Sequence, residues 1–185
     1  MRRPIPSGPR GSVLLDRDGT INVPAAPGEY VTSPSQLKLL PGVGSAIRRF
    51  NDAGLAVVVV TNQRAVARRL MTHEDLDQVH DRMHQLLAEH DAKVDRIHAC
   101  THEIGHCGCR KPQPGLILDA LKADPQVDPQ RTVMIGDQVT DVQAGLSAGV
   151  DTVLLGTVAG KAVPFTASAP SLAAAADWVL ERCTA

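Results

Sequence analysis

The chain has 185 residues, 43% hydrophobic and 21% charged, a balance that suits one globular domain with a real core and excludes a disordered or fibrous protein. With 19 basic and 20 acidic residues the net charge is −1, so no basic excess draws the chain to nucleic acid or to an anionic membrane. Aromatics reach only 2% (Tyr30, Phe50, Phe165 and Trp178), too few to build a base-stacking platform.

Residues 1–12 open with Arg2 and Arg3 and then carry Pro4, Pro6 and Pro9, without the apolar stretch of a signal peptide. They read as a tail before a single domain over 13–185. No run of about 18 apolar residues suggests a membrane span, and a cytoplasmic monomer is expected. Val13 to Leu15 reads as a first strand. Pro41 to Ala53 reads as a helix with proline at its start and Gly54 just past its end. Leu55 to Val60 is apolar on both faces, as buried parallel strands are. The longest helix is expected over Thr72 to His90, with Thr72 as cap, Asp75 three residues on, and Leu76, Val79, Met83, Leu86 and Leu87 on one face. His80 and His84 lie four apart on that helix without the glutamate of a zinc protease helix, so they read as a solvated face. Arg96 to Cys100 is a weaker strand and Pro114 to Ala123 a helix. Thr132 to Ile135 is a strand followed by a helix to about Ala148. Asp151 to Leu155 is the next strand, Ala159 to Pro170 a loose linker, and Leu172 to Arg182 the last helix. This alternation predicts an α/β fold, a Rossmann-like parallel sheet with helices on both faces and right-handed crossovers.

In open sheets of this kind ligands bind beyond the carboxyl ends of the strands. There the first strand presents Asp16-Arg17-Asp18-Gly19-Thr20, the second Thr61-Asn62-Gln63, the third Cys109-Arg110-Lys111-Pro112, and the fourth Gly136-Asp137 with Asp141 four residues on. Each piece alone has an ordinary explanation as turn, helix cap or surface run. Together they gather up to four carboxylates, one hydroxyl and two cations. Closely spaced carboxylates need a compensating cation, and Mg²⁺ takes oxygen ligands, often carboxylate plus phosphate. Thr61 and Lys111 suit phosphoryl oxygens.

Cys100, Cys107 and Cys109 fall within ten residues, which with His102 makes a Cys₃His set of structural zinc type. His98 and His106 compete for the fourth place on spacing alone. Cys183 reads as a plain tail thiol.

These four strand-end motifs resemble those of the haloacid dehalogenase-like phosphatases. The wording Asp-Arg-Asp-Gly-Thr-Ile-Asn, Thr-Asn-Gln and Cys-x-Cys-Arg-Lys-Pro is similar to the D-glycero-D-manno-heptose 1,7-bisphosphate 7-phosphatases and the related histidinol-phosphate phosphatases, over about Val13 to Gly156. No large cap domain is visible in the sequence, so short loops are expected to close the pocket, and the resemblance supports a small zinc-bound loop. It implies that Asp16 attacks phosphorus to form an aspartyl phosphate and that Asp18 protonates the leaving oxygen and then deprotonates water. Mg²⁺ would sit between the Asp16 carboxylate, the Asp18 main-chain oxygen and Asp137, with Asp141 behind them. Thr61 and Lys111 would hold the phosphoryl group, and Asn62, Gln63, Arg110 and Lys111 would bind substrate; Arg64 is placed with them on charge complementarity alone, as a cation for a second phosphate, its other reading being a solvent-facing side chain. The family's Cys-x-His…Cys-x-Cys also favours His102 as the zinc ligand.

Arg64-Ala65 stands where many relatives have Ser-Gly, Val23 to Tyr30 replaces a shorter loop containing His, and only four residues separate His102 from Cys107. These departures touch substrate recognition and leave the chemistry intact. The expected activity is hydrolysis of the C7 phosphate of the heptose bisphosphate, a step toward nucleotide-activated heptose. The rival substrate is histidinol phosphate, a histidine precursor. From another class, a phospho-accepting receiver-like domain also places Asp, Thr and Lys at strand ends, but has no use for a second acid like Asp18. A zinc-stabilised binding module leaves the carboxylates unexplained.

Overall fold

The structure is a computed structural model and describes residues 9–156 and 164–185. Six parallel strands form one sheet: β1 (Arg10–Leu15), β2 (Ala56–Asn62), β3 (Arg96–Cys100), β4 (Val127–Gly136), β5 (Asp151–Leu155) and β6 (Ala167–Ala169), in spatial order 3-2-1-4-5-6. The chain winds outward from β1 to β3, returns to the centre, and winds the other way from β4. The switch point, where such sheets bind ligands, is therefore between β1 and β4.

The helices are α1 (Val43–Asp52), α2 (Arg64–Ala67), α3 (His73–Ala88), α4 (Gly115–Ala123), α5 (Val139–Ala148) and α6 (Leu172–Thr184). Strand side chains alternate between two cores. Val13, Leu15, Val57, Val59, Val133 and Ile135 pack with α1, α3 and α6, whereas Leu14, Val58, Val60 and Met134 pack with α4 and α5. That double burial is why β1 and β2 read as unbroken apolar runs. Among the described residues no second domain interrupts the sheet.

Register brings the strand ends level. Leu15 pairs with Val59 on one side and Ile135 on the other, and Asn62 pairs with Cys100. The residues that follow these positions therefore share one edge of the sheet.

Several elements differ from the sequence reading. β1 begins at Arg10, so residues 10–12 belong to the sheet and not to a tail. β4 begins at Val127, because the polar Asp128-Pro129-Gln130 lies inside a strand whose register shifts beside Arg10. The short α2 was not expected. The linker over Ala159 to Pro170 contains β6, paired at the sheet edge through Val153 and Ala167, while its residues 159–163 lie outside the described residues. His80 does not face solvent: it is 8% exposed, on the margin of the stripe formed by Leu76, Val79, Met83 and Leu87, whereas His84 is exposed. Cys183 is fully buried, packed in the core with its Sγ 3.6 Å from the Ser12 carbonyl oxygen. Thr72 caps α3 as its sequence suggests, accepting from the Asp75 N–H while Asp75 reaches back to the Thr72 N–H.

Candidate active site

Asp16 follows β1, and its N–H donates to the Ile135 carbonyl at 2.9 Å. Asp137 follows β4, and Asp141 stands in the first turn of α5. Oxygens of the three carboxylates lie within 4.8 Å of one another. Such proximity demands glycine at two points. A Cβ at Gly19, whose φ is +90°, would meet Asp137 Oδ2 at 2.4 Å, and one at Gly136 would meet Asp141 Oδ2 at 2.2 Å.

Lys111 reaches into this cluster. Its buried Nζ donates to Asp16 Oδ1 and Asp141 Oδ1, both at 2.6 Å, and to the Val60 carbonyl at 2.7 Å. Burial opposes charge on Lys111, yet the two carboxylates outweigh it and hold the ammonium above its usual range. Burial raises Asp16 to about 6, against the pull of Lys111 and with the push of Asp141 and Asp18. Burial also raises Asp137, against the Gln138 amide that donates to its Oδ2 at 2.6 Å. Three carboxylates against one ammonium leave two negative charges uncompensated.

A divalent cation fits that imbalance and the oxygen donor set. Asp141 has both oxygens committed, one to Lys111 Nζ and one to the Gln138 N–H at 3.0 Å. Asp137 Oδ1 is buried without a hydrogen-bond partner among the described residues. The open donors thus belong to Asp16 and Asp137.

The Asp18 carboxylate stands apart from this cluster. Its Oδ1 accepts from Asn22 Nδ2 at 2.9 Å and Arg17 Nη2 at 3.1 Å, and its Oδ2 from Arg17 Nη2 and Gln63 Nε2, both at 2.9 Å. Gln63 Nε2 also donates to Thr61 Oγ1 at 2.9 Å. Thr61 therefore accepts from Gln63 and keeps its own hydroxyl proton for another acceptor.

The residues expected to touch substrate divide into two groups. Asn62 is turned to the protein: its Nδ2 donates to the Lys111 carbonyl at 3.0 Å, and its Oδ1 accepts from the Lys111 N–H at 3.1 Å. Its side chain thereby fixes the backbone that carries Lys111. Gln63 is 2% exposed, with both ends of its amide engaged. The Gln63 amide is therefore fully engaged within the protein, whereas Asn62, half-buried, keeps one Nδ2 hydrogen beyond its bond to Lys111. At this strand end the side chains turn back toward neighbouring backbone and acids, a choice that residue type alone does not reveal. Arg110 is half-buried, and its Nη1 lacks a partner among the described residues. Arg64 is ion-paired with Glu103, whose Oε1 also accepts from the Ile104 N–H at 2.8 Å. Arg68 lies 5.9 Å over the Tyr30 ring and donates to its hydroxyl at 3.3 Å, so α2 links the 23–30 loop to the loop of Glu103.

Cys100, His102, Cys107 and Cys109 converge beside this edge. Cys100 Sγ is 3.5 Å from Cys107 Sγ, 3.3 Å from Cys109 Sγ and 3.7 Å from His102 Nδ1, and Cys109 Sγ is 3.3 Å from the same nitrogen. Four ligands about 2.0–2.3 Å from a tetrahedral ion stand roughly 3.5–3.8 Å apart, so the cluster fits one. His98, on β3, and His106 are outside this group.

Sequence reasoning missed Arg17 and Asn22 as members of the site. Both were visible inside the first motif, but nothing in their type says that they fold under Asp18. Arg17 is fully buried.

Residues 108–182 match the HAD-hydrolase-like family model. D-glycero-beta-D-manno-heptose-1,7-bisphosphate 7-phosphatase of Yersinia pestis is 37% identical over 177 residues, covering 91% of this chain and 89% of its own. The D-glycero-alpha-D-manno-heptose-1,7-bisphosphate 7-phosphatase of Mycobacterium bovis is 36% identical over 138 residues, 74% of this chain and 72% of its own. Among solved structures, D,D-heptose 1,7-bisphosphate phosphatase of B. bronchiseptica, complexed with magnesium and phosphate, superimposes with a TM-score of 0.85 at 35% identity, over 92% of this chain and 98% of that one. With its acids, lysine and cysteines arranged on that fold, the chain belongs to the D-glycero-D-manno-heptose 1,7-bisphosphate 7-phosphatase family of haloacid dehalogenase-like hydrolases.

Proposed function

We propose that this phosphoric monoester hydrolase removes the C7 phosphate of D-glycero-D-manno-heptose 1,7-bisphosphate with Mg²⁺ as cofactor. The observation that carries the chemistry is the separation of two acids: Asp16 within the buried cluster of Lys111, Asp137 and Asp141, and Asp18 outside it on neutral and cationic donors. The substrate is supported by the names of the relatives and by the cations around the site.

In the first step an Asp16 oxygen bonds to phosphorus as the bond from phosphorus to the sugar oxygen breaks, and Asp18 gives its proton to that oxygen. In the second, water bonds to phosphorus, Asp18 takes a water proton, and the Asp16–phosphorus bond breaks. Thr61 donates its hydroxyl proton to a phosphoryl oxygen throughout, while Lys111 neutralises charge on Asp16 and the phosphoryl group. The Asp16 and Asp137 carboxylates and the Asp18 main-chain oxygen would hold Mg²⁺, which supplies charge neutralisation at the phosphoryl oxygens when bound.

Zinc is the ion proposed for Cys100, His102, Cys107 and Cys109. Four protein ligands close such a site to chemistry. Its position two residues before Lys111 gives it a mechanical role, stiffening the segment that carries Arg110 and Lys111.

Histidinol phosphate would bring a cationic amine in place of the second phosphate. Glu103, an acid in a variable loop suited to that amine, is already paired with Arg64. Phosphate release from the heptose bisphosphate, measured beside histidinol phosphate, tests the assignment; a higher kcat/KM for histidinol phosphate overturns it.

A further inference from the structure

Arg17 lies between the two aspartates of the first motif, and its guanidinium is buried beneath Asp18. Burying a charge is costly, and a buried ion pair replaced as a whole by apolar groups of similar volume is often neutral for stability, so stability alone does not call for the pair. Among the described residues Asp18 is its one ion-pair partner, and Nε and Nη1 have no hydrogen-bond partner there. Only Nη2 is engaged, on both oxygens of Asp18 and on Oε1 of Gln63 at 3.1 Å.

That last contact has a directional consequence. A guanidinium offers donors only, so Gln63 must turn its oxygen toward Arg17. Its Nε2 then faces the opposite way, where it donates to Asp18 Oδ2. With the amide reversed, an oxygen would face the carboxylate. Arg17 thus grips Asp18 twice, once directly and once through the orientation it imposes on Gln63. Asn22 closes the third side.

We propose that Arg17 is a positioning residue for Asp18, acting directly and through the Gln63 amide. The inference rests on the phosphatase reading above, with Asp16 as nucleophile and Asp18 as proton carrier. It predicts a loss confined to the steps that need Asp18.

The test uses the Mg²⁺-loaded enzyme and p-nitrophenyl phosphate. Nitrophenolate leaves without a proton, so formation of the aspartyl phosphate does not depend on Asp18, whereas its hydrolysis does. Stopped-flow kinetics of Arg17→Met should show a burst of about one nitrophenolate per chain, followed by turnover slowed by about 30-fold or more. Gln63→Glu, nearly isosteric, keeps a partner for Arg17 but offers Asp18 no donor; it provides the test alone if Arg17→Met does not fold. In either folded variant the steady-state rate should fall at least about tenfold further than the burst rate. A smaller ratio, whether both rates fall together or neither falls, overturns the inference. Asp16→Asn is the control: if it keeps turning over, the phosphatase reading fails and this inference with it. An inert Asp16→Asn beside a normal Gln63→Glu removes the inference alone.

Discussion

Nζ of Lys111 lies 2.6 Å from Oδ1 of Asp16, across 95 residues of sequence, and touches Asp141 Oδ1 at the same distance. One ammonium thus serves two buried carboxylates, with a third nearby in Asp137. The two ends of this contact respond differently to mutation. Lys111→Met strands buried carboxylates, and breaking a buried pair costs about 3–5 kcal/mol, so loss of activity there reports on folding as well. Asp16→Asn keeps the shape and relieves a cluster with excess negative charge. It should fold, melt no lower than the wild type, and be inactive. Phosphate release above about a tenth of the wild-type rate, a barrier change under ~1.4 kcal/mol, would rule out Asp16 as the nucleophile.

Asp18→Asn keeps the amide within reach of Arg17 but removes the proton carrier. Sugar phosphates are alkyl esters with a poor leaving oxygen, so their cleavage should slow by about 10²-fold or more. The first step with an aryl phosphate should be much less affected. Normal hydrolysis of an alkyl phosphate by this variant would take the acid role away from Asp18.

Protein purified without chelators should contain one zinc per chain. Cys107→Ser, or removal of the metal, should lower the melting temperature by about 5 °C or more, because binding a structural metal is coupled to local folding. Elemental analysis that finds no zinc would reject this site. Mg²⁺ should be required separately, since its carboxylate ligands are not those of the cysteine cluster; full activity after verified removal of Mg²⁺ would contradict the proposed mechanism.

His80 makes a prediction about acid stability. Burial lowers it from 6.5 to about 4, helped by the nearby Arg17 and His84 and opposed by Asp18. The unfolded chain therefore takes up a proton first as pH falls below about 6.5, and the folded form follows only near pH 4. Stability from this residue is present above pH 6.5, is lost between the two values, and is flat below them. By pH 5 the loss is on the order of 2 kcal/mol. His80→Met should abolish that component, so urea unfolding at pH 7 and pH 5 should differ less in the variant. An unchanged difference would show that His80 is not the group responsible.

How far the molecule could be read beforehand depended on local contrast. Val57 to Val60 announces a buried strand, and a carboxylate pair straight after an apolar strand is conspicuous, so Asp16, Asp18 and Asp137 stood out. Cys107 and Cys109 did the same within a polar loop. β6 did not, because Ala-Ser-Ala has no β-branched residue and is a strand only through its partner β5. His80 reads as surface until α3 is laid on the sheet. Arg17 and Gln63 were visible as letters, but their inward orientation comes from contacts made across 46 residues. Asn62 clamps the Lys111 backbone, a pairing set by tertiary structure alone.

The sharpest test of substrate concerns Arg110. In the proposed mechanism the reacting phosphate is served by Thr61 and Lys111, and the Gln63 amide is engaged within the protein. Arg110 is half-buried, and its buried Nη1 has no hydrogen-bond partner among the described residues. Arg64 is held by Glu103 and would have to share or leave that partner to join it. A second, remote phosphate gives Arg110 an acceptor, and binding energy gained there can orient the reacting end. Arg110→Ala should therefore lower kcat/KM by about tenfold or more for the heptose 1,7-bisphosphate, a charge-assisted contact being worth roughly 1.5–3 kcal/mol. For a heptose 7-phosphate, which lacks the remote anion, the same change should cost about threefold or less. Equal losses on both substrates would place Arg110 at the reacting phosphate and leave the bisphosphate without a recognised second anion.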